Sequence, residues 1–190
     1  MLKILEMVAV VAGLLYVLLV VKQSRYGWIF GGLSSALYVF LYLPKRYFVF
    51  AALNAFYVGL AIWGFIRWSA GERKIQQTAV RRMELAQLAS YISIAIVASG
   101  LLYAALHVLP VPGQQTAFES VAGGAAIAAL WATVKKYLEN WFFWIFSNGV
   151  YVFLFLISGN LATAFLYVAF TMLAIWGYLQ WRKLYYSHVE

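Results

Sequence analysis

The sequence predicts an all-α membrane protein of seven transmembrane helices, arranged 3+1+3 as two parallel three-helix repeats around a linking helix. Three observations lead there. The 190 residues are 65% hydrophobic and only 11% charged, with a mean hydropathy of +0.83, too little charge to clothe a soluble domain of that length. The apolar residues gather into runs of about 17–22, the length that crosses a bilayer core as helix. Finally, residue n matches residue n+113 without a gap from Glu6 to Trp68, with 22 identities in 63 positions.

The first run, residues 2–21, has a basic residue ahead of apolar sequence, as a secretory signal does. No small-x-small cleavage site follows before "KQSRYGW", and the repeat supplies an equivalent segment deep inside the chain. It is therefore expected to stay as a membrane helix. Runs 27–43 and 47–66 complete the first repeat. The segment 69–87, "SAGERKIQQTAVRRMELAQ", is the long polar stretch, expected as a partly helical cytoplasmic connection that lets the halves move. Run 88–109 is the linking helix, and "LPVPGQQT" (109–116), with two prolines and a glycine, reads as a turn.

Runs 117–134, 140–157 and 160–181 restate the first three. "YVFLYL" (38–43) lies over "YVFLFL" (151–156), and "LAIWGFIRW" (60–68) over "LAIWGYLQW" (173–181). The expected division is 1–68, 69–116 and 117–190, the last with a short cytoplasmic tail. A three-helix unit joined directly to its copy would invert it. The linking helix restores direction, which gives parallel halves about an axis along the membrane normal. Known transporters use that layout with the substrate between the halves. The alternative is a duplicated structural bundle with no pathway.

A net charge of +8 would suggest a nucleic-acid partner in a soluble protein, but in loops between membrane helices it reports orientation. Lys3, Lys45 and Arg46 fall on the side of the N-terminus. The other eleven of the fourteen basic residues, from Lys22 and Arg25 to Arg182 and Lys183, fall opposite. The expectation is N-terminus out and C-terminus in the cytoplasm, with no nucleic acid bound. The absence of cysteine decides nothing.

Chemistry concentrates on "NWFFWIFSNGVYVFLFL" (140–156). At about 100° per residue, Trp141, Trp144, Asn148 and Tyr151 fall within an arc of about 80°. An amide in hydrocarbon needs a partner, so that face is expected to look away from lipid. The matching face of the first repeat is Trp28, Gly31, Ser35 and Tyr38, with small residues where its copy has bulk. Aromatic walls beside an amide suit a flat cationic heterocycle through stacking and cation–π attraction.

Trp28 and Trp141 could equally be interfacial belt residues. Asn54 and Tyr57 on the third run and Tyr167 on the last are further substrate-binding candidates, although Asn54 could instead bond a neighbouring helix. Trp63 and Trp176, followed by Gly64 and Gly177, read as belt and close-packing positions near the cytoplasmic ends. Glu6 and Glu119 are expected to complement helix N-termini.

Several classes are excluded. From Asn140 to Trp181 there is no Asp, Glu, Lys, Arg or His, and the other helix interiors are equally uncharged. A proton relay or carboxylate-coupled ion site needs ionisable groups in the membrane. A retinal protein would need a lysine in its last helix. His107 and His188 are isolated, so neither an enzyme, a metal site nor a cofactor is expected.

"YLENWFFWIFSN" (137–148), with its WxxW and following Asn, resembles the signature of the PnuC-type vitamin transporters. "LNAFYVGLAIWGFIRW" (53–68) and "FLYVAFTMLAIWGYLQWRK" (165–183) resemble that family's third and last helices. The resemblance covers nearly the whole chain. It implies a SWEET-like fold in the inner membrane and facilitated diffusion of a B-vitamin precursor, often nicotinamide riboside and in some branches thiamine. A cytoplasmic kinase acting on the substrate would make import unidirectional, and the oligomer implied is a homotrimer. Trp141, Trp144 and Asn148 would contact substrate in a central cavity. Nicotinamide riboside members usually carry a glutamine on the fifth helix, where this chain has Leu130. That departure turns the expectation towards thiamine, with nicotinamide riboside the alternative. A sugar carrier is disfavoured by the scarcity of amides and the absence of carboxylates.

Overall fold

The computed structural model describes residues 2–72, 79–110 and 116–187. Most of the "LPVPGQQT" turn, Arg73 and Lys74 in the polar connection, and His188 lie outside the described residues. Seven helices appear among those described: α1 (Leu2–Val21), α2 (Gly27–Tyr42), α3 (Phe48–Glu72), α4 (Leu85–Val108), α5 (Thr116–Val134), α6 (Asn140–Ile157) and α7 (Leu161–Tyr186). Six are long and apolar enough to cross a membrane, while α2 has 16 residues and spans about 24 Å.

Their ends follow local signals. The linking helix starts at Leu85 rather than 88 because Glu84 and Gln87 form a reciprocal capping box. Asn160 caps α7 by accepting from the Thr163 N–H at 3.2 Å. Glu119 lies in the first turn of α5, as expected. Glu6 lies further in, since α1 already begins at Leu2, and so falls beyond the reach of the helix terminus.

The chain forms two compact units, Met1–Ala79 and Val80–Glu190, so α4 groups with the second repeat. In the first unit α2 packs against both α1 and α3. Trp28 on α2 is 1% exposed, its ring lying on Gly64 and edge-on to Trp68, 5.4 Å between centroids at 87°. Ser34 Oγ ties α2 to α1 by donating to the Ala9 carbonyl at 2.8 Å.

In the second unit α5 packs against α4 and α6, and α6 against α7. Most of α5 is buried, because glycine and alanine let its neighbours approach closely. A Cβ on Gly124 would collide with Ser99 and with the Ala95 carbonyl.

The repeat read from sequence is reproduced in its main packing contacts. Trp141 is also 1% exposed, lying on Gly177 and edge-on to Trp181 at 5.3 Å and 86°. Ser147 Oγ donates to the Ala122 carbonyl at 2.8 Å, the counterpart of the Ser34 bond. The turns correspond too. Gln23 and Lys136 both adopt left-handed backbone, φ +56° and +57°, as do Arg46 and Gly159 at +61° and +72°. Each turn closes with the paired backbone bonds of a Schellman-type stop, for example Ser24 N–H to Leu19 O and Tyr137 N–H to Ala132 O.

One feature of the second unit has no sequence signature. Just before α4, Arg81 forms an isolated parallel bridge with Tyr137 in the α5–α6 turn, Arg81 N–H donating to Lys136 O and Leu138 N–H to Arg81 O. The buried Glu139 carboxylate clasps it, accepting from Met83 N–H at 2.9 Å and facing Arg82 Nε at 3.5 Å. Part of the polar connection is therefore anchored rather than loose.

Candidate functional site

The face predicted on α6 divides by depth of burial. Trp141 is enclosed by α7, so it serves packing and does not face lipid as a belt residue would. The same holds for Trp28. In both, the indole Nε1 is buried with no hydrogen-bond partner. Trp144, one turn on, is half-buried, and its Nε1 donates to Thr133 Oγ1 on α5 at 3.2 Å.

Asn148 is 8% exposed, and its amide makes no hydrogen bond among the described residues. Ser35, its counterpart in the first repeat, is half-buried and likewise unbonded. Their immediate neighbours behave differently, since Ser34 and Ser147 both lock onto adjacent helices. Each repeat thus carries two adjacent polar side chains, one used for packing and one left without a protein partner, its polar atoms still accessible.

The aromatic candidates gather in two clusters. Tyr151 meets Tyr167 across α6 and α7 at 4.6 Å, with Phe155 against both. In the first unit Tyr38 stacks on Tyr42 at 5.6 Å, and Tyr42 meets Phe50 of α3. Asn54 donates to the Phe50 carbonyl of its own helix at 2.9 Å, so it does not tie α3 to a neighbour. Tyr57 is half-buried beside Phe56.

Gly31 does not open space in the first repeat. The Tyr16 ring from α1 fills it, and a Cβ there would meet Tyr16 Cδ2 at 2.7 Å. The repeats have exchanged bulk: tyrosine on the first helix with glycine on the second, against Ala129 with Trp144. Offset alignment identifies the exchange, and the structure shows the Tyr16 ring over Gly31 in the first repeat.

A buried polar cluster escaped the sequence reading. Thr133 Oγ1, which accepts from Trp144, lies 2.7 Å from Ala129 O and 3.0 Å from Asn140 Oδ1. Asn140 Nδ2 donates to Tyr137 O at 2.6 Å. The first repeat has Val20, Gly27 and Gly31 at these positions, and their joint replacement was the available signal. Among the described residues no group of acids, histidines or cysteines could hold a metal.

These features define an all-helical, multi-pass membrane protein built on an internal duplication, with polar side chains and aromatic clusters in its helices. The model of the nicotinamide mononucleotide transporter family matches residues 3–183, and the chain belongs to that family of membrane transporters. It is 22% identical to the nicotinamide riboside transporter PnuC of Escherichia coli (strain K12), over 93% of this chain and 84% of that one. It is 24% identical to the protein of the same name from Neisseria mucosa, over 97% and 74% respectively. In structure it resembles the vitamin B3 transporter PnuC, with a TM-score of 0.75 at 22% identity, covering 97% of this chain and 83% of that one. These relatives carry the name of nicotinamide riboside or vitamin B3. The expectation of thiamine, which rested on Leu130, finds no support among them.

Proposed function

We propose that the chain mediates facilitated diffusion of nicotinamide riboside, a small vitamin with a flat cationic ring. The observation that carries this reading is the unpaired amide of Asn148, matched in the first repeat by unpaired Ser35. A membrane helix keeps an accessible amide without a protein partner where a ligand or a solvated pathway meets it. Trp144 and Tyr151 flank that amide on α6 and Tyr167 faces Tyr151 from α7, an aromatic setting for a pyridinium. The relatives' names support nicotinamide riboside over thiamine.

The same reading takes the repeats as parallel, in a SWEET-like 3+1+3 layout, with Ser35, Tyr38, Asn54 and Tyr57 as the first repeat's contribution. It sets the N-terminus outside and the polar connection in the cytoplasm, following the basic residues. A cytoplasmic kinase would trap the imported nucleoside, and a homotrimer is the assembly proposed. Because no ionisable group lies near the helix centres, Glu6 standing in the second turn of α1, transport should run to equilibrium and no further.

Purified protein in liposomes tests this. Nicotinamide riboside should equilibrate across the membrane, neither a proton nor a sodium gradient should drive accumulation, and calorimetry should give tighter binding for nicotinamide riboside than for thiamine. Asn148→Leu should weaken binding while the protein stays monodisperse. Ion-driven accumulation would overturn the uniport, and tighter thiamine binding would reverse the choice of cargo.

A further inference from the structure

We infer that Thr133, held by Asn140, is the positioning residue for the Trp144 indole, and so sets cargo affinity by fixing an aromatic wall. This rests on the reading of Trp144 as part of the cargo site. The Trp144 ring is half-buried, so packing alone leaves it rotational freedom about its side-chain bonds. Its only polar atom is Nε1, and that atom is spent on Thr133 Oγ1.

A threonine hydroxyl has one proton to give and lone pairs to receive with. It accepts from Trp144 only while its own proton points elsewhere, and the Ala129 carbonyl and Asn140 Oδ1 are both within reach to take it. Asn140 is itself fixed by its bond to Tyr137 O in the α5–α6 turn. The chain of contacts therefore runs from the turn backbone through two buried side chains to the indole. Its three side chains are present in the second repeat alone, where the first has Val20, Gly27 and Gly31.

A merely structural cluster would stabilise the α5–α6 corner whatever the ring at position 144. A positioning cluster acts only through that ring. Preorganising a binding wall spares the ordering cost otherwise met on binding.

The test is a double-mutant cycle on solubilised full-length protein, read as nicotinamide riboside affinity by calorimetry, with thermal unfolding followed in parallel. Thr133→Val keeps the shape and removes the hydroxyl, and it should weaken binding about 3- to 10-fold, the scale of one lost orienting hydrogen bond. Thr133→Ser should restore affinity. In a Trp144→Phe background, which has no indole N–H to orient, Thr133→Val should cost nothing further.

An equal loss in both backgrounds would overturn the inference and leave a structural role for Thr133. So would unchanged affinity in Thr133→Val when Trp144→Ala weakens binding. If Trp144→Ala and Trp144→Phe both bind as tightly as the parent, the site reading fails and takes the inference with it.

Discussion

Gly177→Ala separates the packing role of Trp141 from any role in binding, because the first repeat contains the matching experiment. A Cβ on Gly177 would stand 2.5–2.6 Å from three carbons of the Trp141 ring. Carbon pairs rest at about 3.5–4.0 Å, so the indole would have to retreat by about 1 Å. The ring is 1% exposed with Trp181 set edge-on to it, so it has little room to retreat. Overpacking of this kind costs about 1–3 kcal/mol.

Gly64→Ala imposes the same collision on Trp28, which is 1% exposed and edge-on to Trp68. Both variants should therefore lose stability to a similar degree in thermal unfolding of the solubilised protein. Affinity for nicotinamide riboside, measured by calorimetry below the transition, should fall in Gly177→Ala, where the displaced ring precedes Trp144 and Asn148 on the same face. It should fall less in Gly64→Ala, where the displaced ring precedes the smaller Ser35 and Tyr38 contribution. Unaltered stability in both variants would refute the packing argument. A greater loss of affinity in Gly64→Ala than in Gly177→Ala would refute the assignment of the main binding wall to α6.

Trp144→Ala should cost about 1–2 kcal/mol of binding, roughly a 5- to 30-fold loss, while Trp176→Ala should change affinity much less. Arg46→Gly should raise stability by about 1 kcal/mol in thermal unfolding, since Arg46 holds φ +61° where its repeat partner is Gly159. Glu139→Gln should be milder than Glu139→Ala. The Arg82 partner is 56% exposed and its ion pair is worth about 0–1 kcal/mol, whereas the buried bond from Met83 needs an acceptor at that position. A cysteine placed at position 113 of this cysteine-free chain should react with an impermeant label in sealed cells; labelling only after permeabilisation would reverse the proposed orientation.

The helices were legible because apolar run length and the 113-residue offset are properties of sequence alone. Expected and observed limits agree closely even for α2 and α6. The helix ends at Glu72 and Tyr186 were not, because a helix continues past its apolar stretch while its backbone bonds remain satisfied, whatever the side chains. Trp141 illustrates the harder limit. Its position on the α6 face was correctly placed, but whether an indole lines a cavity or fills one depends on what stands opposite. Gly177 and Trp181, more than thirty residues away, decide that. The Glu139 clasp was invisible for a similar reason, since a polar connection reads as solvent-exposed until its backbone partners are known.

The exchange of bulk between Tyr16–Gly31 and Ala129–Trp144 constrains how two initially identical halves can have drifted apart. A tyrosine and a tryptophan together would overfill the space, so the path between the two arrangements cannot pass through the large–large pair. It passes through the small–small pair, in which neither ring is present and a void opens between the first two helices. Emptying a space of that size costs about 3–5 kcal/mol in a well-packed interior. The ancestor that crossed this point either had stability to spare or filled the void with a guest.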